Sequence, residues 1–276
     1  MNETFNFSRF WTYFKYDLKQ MWRNHSKAAI LIGGASAIFY VLWLLFSLVF
    51  AQRWTTPPIE ARVVVLILAF AILELYQVRT YGYLTEKKAG SSWLMVPASK
   101  TEKFVSMLLV TIIVIPLLFF AVYFLIDGFL SLVDPTYGTA LFAGAFEAYN
   151  ELMTGLSELS SGIPMELNTS NLLFPSIISV FCNFLYFLLC GICFKKNKLV
   201  GAIAILFGLS LLLSLLTGLV LPHFISNGTL FNIDFNDEMA VAKFVTTTMN
   251  ISVAITCILT IGLAWGVWYR IKTIQH

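Results

Sequence analysis

The sequence predicts an all-α, polytopic membrane protein with six transmembrane helices, an N-terminal amphipathic interfacial helix and an external amphipathic helix between spans 3 and 4. Three observations predict it. Of the 276 residues, 58% are hydrophobic and only 12% charged, with a mean hydropathy of +0.80, which is too apolar for one water-soluble domain. Six runs reach the roughly 20 apolar residues that a helix needs to cross a hydrocarbon core about 30 Å thick. Finally, threading the chain through these runs puts 15 of the 18 Lys and Arg on one side.

Residues 1–27 form the first piece. Phe10, Trp11, Phe14, Leu18, Met21 and Trp22 recur at helical spacing, while Arg9, Lys15, Lys19 and Arg23 keep mostly to other faces. The pattern predicts a helix in the interface, basic residues among headgroups and aromatics in the acyl boundary, with Ser8 as its cap. A topogenic basic flank accounts for the charges equally well, but not for the apolar stripe.

Residues 28–276 form the transmembrane domain, with spans at Ala28–Phe50, Val63–Tyr83, Phe104–Leu125, Leu173–Phe194, Leu199–Leu221 and Thr247–Tyr269. The first run lasts 23 residues, longer than the apolar part of a cleavable leader, and is expected to act as an anchor. The Lys and Arg count assigns both termini, the 84–103 connection and the 195–198 hairpin to the cytoplasm. Arg53, Arg62 and Lys243 fall outside, where the long 131–172 loop carries acidic residues but no Lys or Arg. Trp43, Trp54, Trp93, Trp265, Trp268 and Tyr269 near span ends fit interface anchors.

Small residues allow close helix contact: Gly33 with Ala37 in the first span, and Gly262 with Gly266 in the last, the latter a candidate for oligomerisation or a chance match. In the external loop, Leu141, Phe142, Ala145, Phe146, Tyr149, Leu152 and Leu156 fit a surface helix bracketed by Pro135 and Pro164. A structural cap over the external mouth and a gate both suit it.

The connection from Leu84 to Lys103 is the most informative stretch. Ser99 and Glu102 make an S-x-x-E capping box and, with Pro97, specify a sharp helix start. Ahead of it, Trp93, Leu94, Met95 and Val96 follow Glu86, Lys87 and Lys88. Exposed apolar residues between charged flanks suit a knob for a partner's groove, and equally an interfacial dip.

Chemistry is sparse. No P-loop, H-E-x-x-H or G-x-S-x-G motif is present, and His25, His223 and His276 lie far apart. No catalytic, cofactor or metal set emerges, and no basic stripe with an aromatic platform points to nucleic acid. Cys182, Cys190, Cys193 and Cys257 sit in apolar runs and read as small hydrophobes; the C-x-x-C of Cys190 and Cys193 lacks the strand-to-helix context of a redox motif. The cluster Asp234, Asn236, Asp237, Glu238 lacks EF-hand spacing and reads as a solvated turn. Glu74 is the acid well inside a span, where a charge costs up to roughly 3 kcal/mol without a partner. It is a candidate for a structural pair or a proton relay.

The stretch Leu94-Met95-Val96-Pro97-Ala98-Ser99, followed by Glu102-Lys103-Phe104, resembles the L-x-L-P-x-S-x-x-E-K-F pattern after the second span in ABC-2 (type-2 exporter) transporter permeases, in the divergent form common among Bacteroidetes-like bacteria. The order of interfacial helix, two spans, connection and four further spans is similar too. Val96 replaces the usual Leu, and the large external loop follows the third span instead of the fifth. The resemblance implies a permease in the bacterial inner membrane that pairs with another permease, itself or a different one, and with two separate ATP-binding subunits. It places a coupling helix in the connection, making Glu86, Lys87, Lys88, Trp93 and Met95 the candidates for docking the ATPase. A non-transporting scaffold, such as an assembly or stress-protection factor, and a proton-coupled carrier using Glu74 are the alternative functions.

Overall fold

The computed structural model describes residues 5–86, 90, 93, 95–144, 147, 170–226 and 238–274. All regular elements among them are helical, in the order α1 (Phe7–Gly33), α2 (Ala35–Phe46), α3 (Ile59–Thr80), α4 (Lys100–Leu109), α5 (Ile115–Val133), α6 (Ser170–Cys193), α7 (Lys198–Ser226) and α8 (Glu238–Thr273). Among the described residues, three helices are long and apolar enough to cross a membrane: Lys100–Val133, Phe174–Cys193 and Met249–Thr273. A fourth span is reached if α1 and the segment Ala35–Phe50 count as one, across a bend of 41°. The other two expected spans are not among these: α3 carries Arg62, Glu74 and Arg79, and the described apolar part of α7, Lys198–Leu212, is shorter than a span.

Helix α1 departs from the expected division at residue 27. Nothing in His25-Ser26-Lys27-Ala28 breaks a helix, so α1 runs on to Gly33 and the chain bends at Gly34, where the glycine pair offers least resistance. The cap is Asn6 and not Ser8: the Asn6 side chain accepts from the amides of Ser8 and Arg9 at 3.0 and 3.3 Å. The apolar stripe is also shared differently. Phe10, Tyr13 and Met21 are buried, Phe14 and Leu18 pack on the core, and Trp11 and Trp22 remain about half exposed. One side of α1 therefore seats on protein. A Cβ on Gly33 would lie 2.9 Å from the Val122 side chain, so the small residue permits the close approach of α1 to α5.

The capping box forms as the sequence predicts. Ser99 Oγ accepts from the Glu102 amide at 3.2 Å, and Glu102 Oε2 accepts from the Ser99 amide at 2.9 Å. Between α4 and α5 the helix widens into a π turn, Val110–Val114. Pro116, just past it, has no N–H to donate to the preceding turn, and the wider turn accommodates that missing bond without ending the helix. The result is a 34-residue helix from Lys100 to Val133, about 51 Å long at 1.5 Å per residue.

Helix α6 is the central post, packed on α3 and α8. Gly191 makes its closest contact: a Cβ there would lie 3.1 Å from Val78 Cα and collide with the Val78 carbonyl. Leu73 of α3, Phe119 and Tyr123 of α5, Phe184 and Leu188 of α6 and Val267 of α8 fill the core. Phe70 meets Phe119, Phe120 and Phe184 with ring centroids 5.5–6.0 Å apart. A Cβ on Gly266 would lie 3.3 Å from the Leu189 side chain of α6, whereas one on Gly262 would meet open space. The proposed oligomer motif is thus half used inside the chain.

Candidate functional site

Two polar assemblies occupy opposite ends of the bundle. At the first, the beginnings of α1, α4 and α7 meet the ends of α3, α6 and α8, which brings together most of the segments that carry the Lys and Arg excess. Lys100 Nζ donates to the Lys272 carbonyl at 2.9 Å, Arg270 Nε to the Ile192 carbonyl at 3.4 Å, and Lys198 Nζ to the Gly82 carbonyl. The connection that carries the family-like motif lies at this end.

Its placement is specific. Glu102 is fully buried and does more than cap α4: Arg9 reaches it with Nε at 3.0 and 2.8 Å and Nη2 at 2.7 Å, and the Asn6 amide donates to it at 2.9 Å. One carboxylate thereby starts two helices 93 residues apart. Such charge-assisted, forked bonds are stronger and more directional than neutral ones. Trp93 Nε1 donates to Tyr13 Oη at 3.0 Å, while Lys103 donates to the Trp93 carbonyl at 2.8 Å and sits 4.6 Å from the Trp93 ring centroid. The connection is tied to α1 by an indole and to α4 by an ammonium.

This arrangement corrects the expected docking surface. Trp93 is 4% exposed, because Tyr13, Lys103 and the core enclose it, so it cannot present its ring to a partner. Met95, two residues on, is 81% exposed. Glu86 is exposed, and Lys87 and Lys88 lie outside the described residues, as do Leu94, most of the expected external helix, and the 234–237 turn. A groove of about 500 Å³ runs between α1 and the connection, lined by Arg9, Thr12, Tyr16, Val96 and Pro97 among others. Farther along α1 lies a carboxylate that the sequence did not single out. Asp17, 3% exposed, accepts from Tyr81 Oη at 2.9 Å and Ser106 Oγ at 2.6 Å, joining α1 to α3 and α4. His25 and Tyr76 are 2.8 Å apart a little farther along α1.

At the opposite end, Arg62 and Asp127 form a buried pair, 2% and 1% exposed. Arg62 Nη2 donates to both Asp127 oxygens at 2.8 and 2.9 Å, and its Nη1 reaches the carbonyls of Tyr137 and Thr139 at 3.1 and 3.0 Å. Asp127 also accepts from Tyr137 Oη at 2.9 Å and the Leu141 amide at 2.7 Å. The guanidinium carbon lies 3.9 Å from the Tyr137 ring centroid. Every polar atom needed to hold these charges away from water is supplied, so the pair fixes the start of α3, the end of α5 and the 135–141 segment in one arrangement. Beyond the end of α5, Asp134 accepts from the Thr136 and Tyr40 hydroxyls at 2.6 and 2.7 Å, which hold its carboxyl below the usual aspartate range.

Glu74 has a partner in the next helix: Asn183 Nδ2 donates to it at 3.4 Å. An amide from α6 thus meets the acid of α3, the cross-helix arrangement expected for a structural acid. The cysteines are free thiols; Cys190 is buried and Cys193 exposed on α6.

Chemically, the first end presents a charge-tied connection on which Met95 is exposed, and the second a lock between helices. Comparison with known proteins adds no identity: no family model matches the chain, and no curated protein or solved structure matches it either.

Proposed function

We propose that the chain is the membrane-spanning permease subunit of an ATP-driven exporter, acting beside a separate ATPase that docks on the 84–103 connection. The observation that carries this reading is the exposure of Met95, 81%, on a connection that buried Trp93 and Glu102 tie to α1 and α4. A loop that merely reverses the chain gains nothing from such anchoring. A surface that must transmit force does, because displacement of the connection then carries α1 and α4 with it. The bend at Gly34 and the π turn Val110–Val114 are the places where these helices yield most easily, so the motion is delivered toward the middle of the bundle. The local likeness of residues 94–104 to ABC-2 permeases supports the same reading. Met95 and Glu86, with Lys87 and Lys88, form the docking surface, and Trp93 is a positioning residue that acts through the backbone it anchors.

The test is purification in mild detergent from cells that also express the candidate ATPase. Met95→Asp should abolish co-elution of the ATPase while leaving the thermal melt of the permease unchanged. Trp93→Phe, which removes the indole N–H that reaches Tyr13, should weaken it. Undiminished co-elution with Met95→Asp, or elution of the wild type without a nucleotide-binding partner, would favour the scaffold reading.

A further inference from the structure

We propose that the cleft between the end of α3, the turn that follows it and the α6–α7 hairpin is a binding site for the phosphate headgroup of an anionic phospholipid. The cleft encloses about 480 Å³, within the range of small-molecule sites. Three cations line it, Arg79 from α3 and Lys195 and Lys198 from the hairpin, against one carboxylate, Glu86. Neither Arg79 nor Lys195 belongs to an ion pair among the described residues. Lys198 is held in place by its bond to the Gly82 carbonyl, and the absence of a side chain at Gly82 leaves room for that approach, with a Cβ there only 3.3 Å from Lys198 Nζ. Asn197 adopts a left-handed conformation, φ 48°, which turns the chain sharply enough for Lys195 and Lys198 to flank the same opening.

The apolar surroundings select a lipid over a free anion. Leu199 and Val200 share the lining with the cations, and Val200, Ile203 and Phe207 continue the apolar surface along α7, all 43% or more exposed. A charged mouth opening directly onto an uncovered apolar helix face matches a phosphate joined to acyl chains. Free phosphate would make no use of that face. The site needs the chain to lie in a membrane, which its apolar helices support, and is independent of whether it exports anything.

The full-length chain, purified in detergent, is titrated with phosphatidylglycerol and with phosphatidylcholine, and bound lipid is counted by native mass spectrometry. The wild type should prefer phosphatidylglycerol. Arg79→Gln/Lys195→Gln should reduce that preference by roughly tenfold or more, since each cation near a lipid surface contributes appreciably to anionic-lipid binding. Arg53→Gln/Lys272→Gln, an equal loss of exposed charge away from the cleft, should leave it unchanged, and Arg79→Lys/Lys195→Arg should retain it. Equal binding of both lipids, or equal losses in the cleft and control variants, would overturn the site. Displacement of phosphatidylglycerol by glycerol phosphate as readily as by a short-chain phosphatidylglycerol would overturn the lipid assignment in favour of a free phosphate. ATPase co-elution is read separately, so failure of one proposal leaves the other standing.

Discussion

Replacing Asp127 by Leu strands the Arg62 guanidinium in a dry site. Three of its five contacts to side chains or carbonyls within 3.1 Å survive, all to the Tyr137 and Thr139 carbonyls, but its counter-charge is gone. Breaking a buried pair from one side costs about 3–5 kcal/mol. Arg62→Met is symmetrical: Asp127 keeps only Tyr137 Oη and the Leu141 amide, and a similar loss follows. Independent losses would sum to about 6–10 kcal/mol in the double variant. The double variant, however, buries no charge. What it loses is the partnering of the Leu141 amide, the Tyr137 hydroxyl and the Tyr137 and Thr139 carbonyls, at about 1–3 kcal/mol for each group that stays dry. Replacing both charges of a buried pair by apolar residues is often close to neutral, so a double variant well short of the additive sum, with a coupling of at least about 2 kcal/mol, is expected. The assay is equilibrium unfolding of the detergent-solubilised protein with increasing SDS fraction, followed by tryptophan fluorescence. Additivity of the two losses within about 0.5 kcal/mol would refute the claim that these residues act as one buried unit.

Other perturbations follow from the same contacts. Gly191→Ala should destabilise the chain by about 1–3 kcal/mol, because its methyl group meets the Val78 backbone, whereas Gly262→Ala, with open space for its methyl group in mid-helix, should raise the unfolding midpoint slightly. Glu102→Ala should lower amide-exchange protection in both residues 7–14 and 99–103, while Arg9→Ala should do so only in the first segment; equal effects would separate Glu102 from its double role. Glu74→Gln should preserve any substrate flux, since Asn183 can still hydrogen-bond a neutral side chain; loss of flux dependent on a pH gradient would instead favour a carrier. Lys196→Cys, exposed on the α6–α7 hairpin, should react with a membrane-impermeant thiol reagent only after the cells are opened, and labelling of intact cells would reverse the assigned orientation.

The parts of the fold that were legible in the sequence are those written in local signals. Ser99 and Glu102 declare a helix start three residues apart, and the apolar runs around Phe184 and Val267 declare helices long and apolar enough to span a membrane. Long-range partners were not legible. Nothing near Glu102 in the chain announces Arg9, and nothing near Trp93 announces Tyr13, so an indole among apolar neighbours read as an exposed knob when it is a buried anchor. Asp17 was not singled out in the sequence, yet it lies four residues after Tyr13 on the buried side, a register that marks it as inward-facing. Asp127 offered a plainer signal, an acid inside the apolar stretch Ile115–Val133, but the expected span ended at Leu125 and excluded it. The continuity of α1 past Lys27 was likewise written locally, in the lack of any breaker before Gly33-Gly34, whereas the expected division followed the start of the apolar run at Ala28.

The account rests most heavily on Met95 as the point where a partner touches the connection. A photo-cross-linking amino acid placed at position 95 in the full-length chain, irradiated in intact cells and read by mass spectrometry of the adducts, tests this directly. A covalent adduct to a nucleotide-binding ATPase is expected, and it should vanish when the cross-linker is moved to Ile113 on the apolar flank of the helix. Adducts formed only with lipid at position 95 would contradict docking and return the connection to the membrane interface.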